Sequence, residues 1–291
     1  MFLKVSDPKP LKRANVVLAI ATLGLFSLSA VGYLIYSNLS SGSEFEVKET
    51  VFSTGGRLSE SLRIAFLSDI HLRNTTSQFE RLAQIIERVR KEVPDLILLG
   101  GDFTGEEGAE TAVFRPDLIA AIKPLAAIAP TYTVLGNHEW WTAPDWYETL
   151  TSAGMSVIEG RQESISFKQG KVCLRGLGDA YTGHYKPIPF APGCLGIPVT
   201  LTHDPYAIEL DDQPGLYLAG HTHCGQVRLP VIGAPWAPTQ ASKEYQCGVG
   251  HSEDKVWLVT AGLGTSVLNL RFGTTPSIEL IILTGGENSS D

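Results

Sequence analysis

The chain has 291 residues, of which 43% are hydrophobic and 19% charged, and its formal net charge is −8 at pH 7. This length and composition suit one large folded domain and exclude a low-complexity or disordered protein. An acidic chain without basic residues clustered among aromatic ones repels a phosphate backbone, so nucleic acid is not an expected partner.

The N-terminal segment predicts a membrane helix. Residues 1–15 form a basic start, and residues 16–36 form an uncharged, largely apolar run that is long enough to cross about 30 Å of hydrocarbon as a helix. The basic start predicts that residues 1–15 stay in the cytoplasm and that the rest of the chain is exported. A cleaved signal peptide is the alternative, because the small residues Ser27, Ser29 and Ala30 would suit a cleavage site.

Residues 37–60 follow as a polar juxtamembrane connector, although residues 45–51 could add an edge strand to the domain. Serine is frequent at the start of this segment, and a glycine pair marks a turn near its end. We expect the folded domain to cover residues 61–285 and a flexible tail to cover residues 286–291.

The first part of this domain predicts alternating strands and helices. Short apolar runs are followed by apolar residues at helical spacing, as where residues 62–67 precede residues 82–93. Three such runs end close to a metal-binding side chain, at Asp69, Asp102 and Asn137. Because ligands bind beyond the carboxyl ends of strands in open α/β sheets, we expect these three side chains to meet at one edge.

The second part contains short β-like runs with few helical patterns. Two sheets packed face to face and flanked by helices would accommodate both parts, which makes the predicted class α/β. His203 and the turn that contains His221 and His223 again follow predicted strands, so they can reach the same edge.

Five short stretches concentrate metal-binding side chains, and five of the seven histidines lie in them. The stretches are Asp69-Ile70-His71, Gly101-Asp102, Gly136-Asn137-His138-Glu139, Thr202-His203-Asp204 and Gly220-His221-Thr222-His223. Mixed oxygen and imidazole donors suit two divalent metals, such as Mn, Zn, Fe or Mg, of the kind that promote hydrolysis of a phosphate ester. Asp102 can bridge the two ions, and six further ligands are available: Asp69, His71, Asn137, His203, His221 and His223.

His138 and Glu139 remain after these ligands are assigned. We expect His138 to stabilise the transition state or to donate a proton to the leaving oxygen, and Glu139 to orient it. Alone, each of these residues would be interpreted as a cap or a solvated group, so the hypothesis depends on their joint order along the chain. His184 and His251 lie outside that order, and we interpret both as structural.

The aromatic residues that follow His138 have two interpretations. Trp140, Trp141, Trp146 and Tyr147 either face a ligand or the bilayer, or cover a helix in the core. The loop over residues 178–193, with Tyr181 and Lys186, is a further candidate for substrate specificity.

Cys173, Cys194, Cys224 and Cys247 have no C-x-x-C spacing, which excludes a zinc finger. Disulfides, with three connectivities, and buried free thiols are both compatible with the sequence. A thiol ligand at Cys224 is not expected, because the oxygen and nitrogen donors already suffice.

The ordered pattern Asp-x-His, Gly-Asp, Gly-Asn-His-Glu, His and Gly-His-x-His resembles that of the calcineurin-like metallophosphoesterases. Segments 220–230 and 262–272 also resemble the bacterial single-span or exported branch of that family, so the resemblance covers residues 60–285. Cys224 departs from the glycine that is frequent at its position in this branch, which affects a turn and no ligand.

The resemblance implies a four-layer α/β/β/α sandwich with a dinuclear site. Asp69, His71, Asp102 and His223 would hold one metal, Asp102, Asn137, His203 and His221 the other, and His138 would be catalytic.

For function, the resemblance implies a membrane-anchored phosphodiesterase, phosphatase or pyrophosphohydrolase that acts on a small, nucleotide-linked or lipid-linked phosphate ester. With the predicted topology, it would lie at a bacterial inner membrane with its catalytic domain on the periplasmic side. Some related proteins are linked to hydrolysis of UDP-2,3-diacylglucosamine in lipid A synthesis, but that precursor is cytoplasmic, which conflicts with the topology. The alternative is a catalytically silent metal-binding scaffold or partner-binding module.

Overall fold

The computed structural model describes residues 13–41, 44–106, 108–142, 145–229, 231–267 and 269–286. Most of the basic start and the tail after residue 286 lie outside the described residues. The strands are, in chain order, β1 (Glu46–Ser53), β2 (Leu62–Leu67), β3 (Leu96–Leu99), β4 (Thr131–Thr133), β5 (Ser156–Val157), β6 (Arg161–Phe167), β7 (Gly170–Gly176), β8 (Ile197–Leu201), β9 (Gly215–Ala219), β10 (Gly248–His251), β11 (Lys255–Val259) and β12 (Ser277–Thr284). The α-helices are α1 (Arg13–Ser41), α2 (Thr76–Lys91), α3 (Gly108–Ile122), α4 (Asn137–Thr142), α5 (Trp146–Ser152) and α6 (Tyr206–Leu210).

These strands form two six-stranded sheets. The first has the order β1-β12-β2-β3-β4-β5, and the second has the order β10-β11-β9-β8-β7-β6. Strands β2 to β5 run parallel, as do β7, β8, β9 and β11, so their carboxyl ends point the same way within each sheet. The alternating strands and helices predicted for residues 62–135 therefore build a parallel sheet.

The alternation of side chains along the strands separates three hydrophobic clusters. Ile64 and Phe66 of β2 face Val199 and Leu201 of β8 in the cluster between the two sheets. The intervening β2 residues Ala65 and Leu67 point to the other side, where α2, α3 and α5 cover the first sheet. Tyr217 of β9 and Trp257 of β11 pack under α6 on the outer face of the second sheet. The protein thus has a mixed α/β fold with two sheets between outer helices.

Strand β1 lies inside the range interpreted as a connector. It pairs in parallel with β12 along eight residues, from Glu46 with Ser277 to Ser53 with Thr284. The alternating residues 45–51 therefore form the edge strand that their pattern allowed, and ordered structure begins before residue 61.

Helix α1 covers the predicted membrane segment and exposes apolar side chains such as Leu18, Phe26 and Ile35. Its Tyr33 ring contacts Phe272 edge to face, with 5.8 Å between ring centroids. Within the described residues, we find no helix that is both long enough and apolar enough to span a membrane. The span predicted over residues 16–36 is therefore unconfirmed.

Candidate metal centre

The predicted ligands converge where the two sheets present the carboxyl ends of their strands. Asp69 follows β2, Asp102 follows β3, and Asn137 follows β4 in the first sheet, while His203 and His221 follow β8 and β9 in the second. All seven predicted ligands are buried, with exposed fractions of 4% or less. The structure thus brings together the whole set that the motif order indicated.

One group of donors consists of Asp69, His71 and His223, whose ligand atoms all lie within 4.8 Å of one another. The Nε2 atoms of His71 and His223 are 3.0 Å apart. Asp69 Oδ1 lies 3.5 Å from Nε2 of His223 and 3.9 Å from Nε2 of His71. This group could hold a metal ion.

A second group consists of Asp102, His203 and His221, again within 4.8 Å of one another. His203 Nε2 lies 3.2 Å from His221 Nδ1. Asn137 joins this group through its Oδ1 atom, which is 3.1 Å from His203 Nε2. The amide therefore lies with the second group, as the family resemblance implied.

Asp102 connects the two groups through a single oxygen. Its Oδ2 atom lies 3.4 Å from Nε2 of His71 in the first group and 3.4 Å from Nε2 of His203 in the second. The other oxygen, Oδ1, accepts a hydrogen bond from the backbone N–H of His138 at 2.9 Å, which fixes the plane of the carboxylate. One carboxylate oxygen thus faces both groups.

The donor set fits divalent metals. Two carboxylates, one amide oxygen and four imidazoles offer the mixed oxygen and nitrogen ligands that borderline and hard divalent ions accept. Burial lowers the pKa of His71 and of His221 to about 3, so both imidazoles are neutral, the form that binds a metal. Burial raises the pKa of Asp69 to about 6, with the charge of Asp102 acting in the same direction, so positive charge nearby would favour its ionised form.

Backbone carbonyls orient two of the imidazoles. His203 Nδ1 lies 2.6 Å from the carbonyl oxygen of Gly100, and His221 Nε2 contacts the carbonyl oxygen of Pro238. A carbonyl only accepts, so each of these nitrogens carries a proton, and the opposite nitrogen of each ring is directed toward the second group. These two carbonyls are parts of the site that the sequence did not reveal.

Arg271 is a further residue that the motifs did not include. The side chain is buried, and Nη2 lies 3.1 Å from His223 Nδ1 and donates to the carbonyl of Ala261 at 2.7 Å. It therefore connects the first group to the loop that follows β11. Its sequence signals are its place in the segment 262–272 that resembles the family branch and its position as the single charged residue between residues 256 and 278.

The ligands reach the site through strained loops. Asp69, His71, Asp102, His221 and His223 all have left-handed backbone conformations, with φ between 44° and 66°. Such conformations are unfavourable for residues with a Cβ atom and accumulate at functional sites. Asp69 and His71 therefore lie in a loop that follows β2.

Glycine is required at position 136 for close approach of these loops. A Cβ atom there would clash with Oδ1 of Asp102 and would lie 2.7 Å from Cε1 of His203. Any side chain would therefore separate Asp102 from His203 and spread the two groups.

His138 lies beside both groups, with its Nδ1 atom buried and without a hydrogen-bond partner. One of its ring nitrogens lies within 4.8 Å of ligand atoms of His71 and Asp102. The ring also lies against His71, with 4.6 Å between centroids, and lines the cavity described below. His138 thus lies next to the metal-binding candidates His71 and Asp102.

Glu139 does not orient His138 through Nδ1, contrary to the sequence-based expectation. Its carboxyl oxygens accept hydrogen bonds from the backbone N–H groups of Asp102, Phe103 and Gly136 at 2.8 to 2.9 Å. Burial raises the pKa of Glu139 to about 8, and two of these N–H groups act in the opposite direction. Its role is to join the loop after β3 to the loop after β4.

We expect Glu139→Gln to lower the free energy of unfolding by about 3 kcal/mol, because the amide NH₂ would face backbone donors and leave one of them unsatisfied. Urea unfolding followed by circular dichroism measures this loss. The control is Glu163→Gln on the exposed face of β6, which should change stability by less than about 0.5 kcal/mol. Equal stability of the two variants would contradict the role given to Glu139.

A cavity of about 570 Å³ opens over the two groups. Its lining includes metal-binding candidates such as His221, together with Trp141, Tyr181 and Trp236. The Tyr181 ring lies 4.5 Å from the ring of His221. The cavity therefore brings aromatic side chains next to the metal-binding candidates.

The structure separates the aromatic residues that the sequence grouped. Trp146 is fully buried in the core and Tyr147 packs against it, whereas Trp141 is exposed at the cavity. Trp140 stacks on His184 at 3.6 Å between ring centroids, and Lys186 lies over the same indole. Tyr181 is thus the member of the predicted specificity loop that lines the cavity.

The four cysteines form two disulfides, Cys173–Cys194 and Cys224–Cys247. The second closes the turn that holds His221 and His223, because Cys224 directly follows His223. Thr222 donates a hydrogen bond to the carbonyl of Gln246 at 2.7 Å, next to the same disulfide. The segment at residues 246–247 therefore holds the histidine turn through one hydrogen bond and one disulfide. No cysteine thiol remains as a ligand.

We expect the double variant Cys224→Ser/Cys247→Ser to weaken metal binding by roughly tenfold, because the histidine turn loses its covalent support. The matched control is Cys173→Ser/Cys194→Ser, since the two disulfides span 23 and 21 residues. Each double variant should lose about 3 kcal/mol of stability, a loss set mainly by loop length. Calorimetric titration with Mn²⁺ distinguishes them, and equal affinity in both variants would contradict the proposed support.

Comparison with known proteins agrees with this geometry. Residues 62–225 match the family model described as calcineurin-like phosphoesterase. The chain is 33% identical over 230 residues to phosphodiesterase YaeI of Escherichia coli, covering 76% of this chain and 82% of that protein. It is 27% identical over 283 residues to the uncharacterized metallophosphoesterase YkuE of Bacillus subtilis, covering 91% and 93%. It is also 31% identical over 188 residues to a bovine transmembrane protein with metallophosphoesterase domain, covering 57% of this chain and 41% of that protein. The chain therefore belongs to the calcineurin-like phosphoesterase family and is a hydrolase of phosphoric ester bonds.

Proposed function

We propose that this protein is a dinuclear metal-dependent phosphodiesterase. The observation that carries the proposal is the position of Asp102 Oδ2, 3.4 Å from a histidine of each donor group. A carboxylate shared in this way is the ligand that two neighbouring ions require. The name of the relative from Escherichia coli, a phosphodiesterase, supports a diester as the substrate.

The geometry supports one assignment of ligands. Asp69, His71, Asp102 and His223 would hold one ion, and Asp102, Asn137, His203 and His221 the other. When bound by these residues, the two ions would supply Lewis acidity toward a water molecule and positive charge beside the phosphoryl oxygens. Among the ligands, only Asp69 and Asp102 are acids, so the loaded site would attract an anionic ester.

His138 is proposed as the catalytic residue. Its ring lines the cavity next to both groups, and its Nδ1 atom has no hydrogen-bond partner within the protein. An imidazole in this position can donate a proton to the leaving oxygen or a hydrogen bond to the transition state. Asp102 keeps the backbone of His138 in place through the bond from its N–H group.

We also propose an exported, membrane-tethered protein. The apolar sequence over residues 16–36 supports the tether, and the disulfides Cys173–Cys194 and Cys224–Cys247 support a location outside the cytoplasm, where such bonds persist. Protease treatment of bacterial spheroplasts that express the chain should cleave an exported domain. Protection of the domain until the cells are lysed would contradict this location.

The substrate class proposed is a small phosphodiester, with nucleotide-linked and lipid-linked esters as the two forms to compare. UDP-2,3-diacylglucosamine combines both forms and contains a phosphoanhydride bond, and an exported site would not meet it in the cytoplasm. The rate of its hydrolysis is therefore compared with the rate of hydrolysis of a soluble diester.

The test is hydrolysis of bis-p-nitrophenyl phosphate, p-nitrophenyl phosphate and UDP-2,3-diacylglucosamine by the full chain in detergent. We expect a chelator to abolish activity, Mn, Zn, Fe or Mg to restore it, and metal analysis to find two ions per chain. Binding of a single ion would contradict the dinuclear site. Two bound ions without hydrolysis of any ester would favour a metal-binding scaffold.

A further inference from the structure

We propose that the rim of the catalytic cavity docks on the surface of a lipid bilayer. The rim consists of Trp141, Val231, Ile232, Trp236 and Val267, five apolar side chains that come from helix α4 and from two separate loops. This inference rests on the proposed function for the position of the cavity and for the membrane tether, and it concerns how substrate reaches that cavity.

The rim is unusually exposed for large apolar side chains. Val231 and Val267 are 107% and 86% exposed, and Trp236 and Ile232 are 66% and 72% exposed. Isolated apolar residues are common on protein surfaces, but apolar side chains gathered around one opening mark a binding surface. Trp141, Trp236 and Val267 also line the cavity, so the rim and the catalytic cavity are continuous.

Backbone hydrogen bonds connect the two loops to each other. The backbone N–H of Arg228 donates to the carbonyl of Phe272, and that of Phe272 donates to the carbonyl of Gln226. These bonds join the loop that carries Val231 and Trp236 to the loop that carries Val267. The two loops are thus held together, and Trp141 meets them at the cavity that it lines with Trp236 and Val267.

The position of helix α1, the proposed tether, favours a bilayer as the occupant. The Tyr33 ring of α1 contacts Phe272, next to the bonds that join the two loops. The apolar side chains of α1, such as Phe26 and Leu28, are more than 70% exposed. An apolar helix that meets the body of the protein at the rim brings both apolar surfaces to the same lipid phase.

The charge of the rim segments agrees with a lipid surface. The chain has 31 acidic and 23 basic residues, yet residues 221–243 and 255–278 contain no Asp or Glu. Arg228 and Lys243 are the basic residues of the first segment. Anionic headgroups attract basic side chains, and these segments contain no acidic residue that would oppose that attraction. Tryptophan is frequent where a protein meets the membrane interface.

The test measures contact of Trp236 with acyl chains. The full chain is reconstituted in phosphatidylcholine vesicles containing phosphatidylglycerol, with acyl chains that are either plain or brominated close to the headgroup. We expect brominated lipid to quench part of the tryptophan fluorescence of the wild type, and Trp236→Phe to lower that quenching on the order of twofold. The matched control is Trp257→Phe, since Trp257 is 4% exposed and lies on the outer face of the second sheet.

A second variant separates docking from tethering by α1. Val231→Ser/Ile232→Ser changes two exposed side chains and leaves α1 and the cavity lining intact. If the rim inserts by its own apolar surface, this variant lowers quenching of Trp236 while hydrolysis of soluble bis-p-nitrophenyl phosphate is unchanged. Equal quenching in the wild type, Trp236→Phe and this variant would overturn the proposal and leave the rim as a site for a soluble partner or an apolar substrate.

The readout does not depend on catalysis. A chain that hydrolyses no ester but shows Trp236-dependent quenching would refute the proposed function and retain the docking surface. A chain that hydrolyses a soluble diester but shows no Trp236-dependent quenching would retain the proposed function and refute the docking surface.

Discussion

Replacement of Asp102 by asparagine is expected to lower turnover of a phosphodiester by roughly 10³-fold, because the shared carboxylate is the group on which both halves of the site depend. Asparagine keeps the shape of the side chain and an oxygen for the N–H of His138, but it removes the negative charge between His71 and His203. The loss should therefore appear in metal content as well as in activity. Metal analysis of the purified variant and steady-state hydrolysis of bis-p-nitrophenyl phosphate measure the two effects.

The matched control is Asp95→Asn. Asp95 accepts hydrogen bonds from the backbone of Arg63 and from Gln169, at the end of the sheet opposite the metal centre. The Asp95→Asn variant should retain wild-type activity and metal content. An Asp102→Asn variant that keeps two ions and full turnover would contradict the shared-carboxylate arrangement, whereas loss of activity with an unfolded chain would show only that the substitution disrupts the fold. Circular dichroism of both variants makes that distinction.

The positions of Asp69, Asp102 and Asn137 could be predicted from the sequence because each follows a short apolar run. Strand ends in a parallel sheet lie side by side, so a local pattern is enough to place three side chains at one edge. The structure agrees, with the three residues after β2, β3 and β4. Here the relevant physical information is contained within segments of about ten residues.

The pairing of each histidine with a particular acid could not be derived in this way. His203 comes from the second sheet and Asp102 from the first, and their separation depends on how the two sheets pack face to face. That packing depends on side chains distributed over the whole domain, such as Phe66 and Leu201. Only the family resemblance indicated the assignment in advance.

Glu139 shows why an adjacent residue was misinterpreted. Proximity in sequence suggested that it would orient His138, but both residues lie in the first turn of α4, where neighbouring side chains point in different directions. The carboxyl group instead turns toward the N–H groups of Asp102, Phe103 and Gly136. Its partners are backbone N–H groups that have no partner in a helix or sheet. Such groups arise from the conformation of the loops, which the residue pattern does not reveal.

Long-range pairing limits prediction at both ends of the domain. Strand β1 is followed along the chain by β2, yet it pairs with β12, more than two hundred residues away. Cys224 likewise finds Cys247 among three possible partners because the turn at Thr222 and Gln246 brings the two together. In each case a tertiary contact selects one of several pairings that the sequence allows equally.

Replacement of His138 by alanine is expected to lower turnover by about 10² to 10⁴-fold, because the site would lose its proton or hydrogen-bond donor to the reacting ester. Both metals should remain bound, since the two donor groups keep their proposed ligands. The loss should depend on the leaving group. p-Nitrophenolate leaves readily as an anion and needs little protonation. Hydrolysis of a p-nitrophenyl ester should therefore slow less than hydrolysis of an ester of a simple alcohol. Steady-state rates for aryl and alkyl phosphodiesters with the same variant measure this difference.

The dependence on leaving group distinguishes three roles for His138. A proton donor gives a loss that grows as the leaving alcohol becomes less acidic, whereas a residue that stabilises the phosphoryl oxygens gives the same loss for every ester. The distances between His71, Asp102 and His138 also permit a third role, in which His138 is a ligand of the ion near His71. In that case, its replacement would reduce metal content together with activity. The control His184→Gln removes a histidine that stacks on Trp140, and it should leave both metal content and leaving-group dependence unchanged. If His138→Ala retained wild-type turnover for alkyl esters, the proton would have to come from water held in the cavity, since the other histidines near it are committed to the two donor groups.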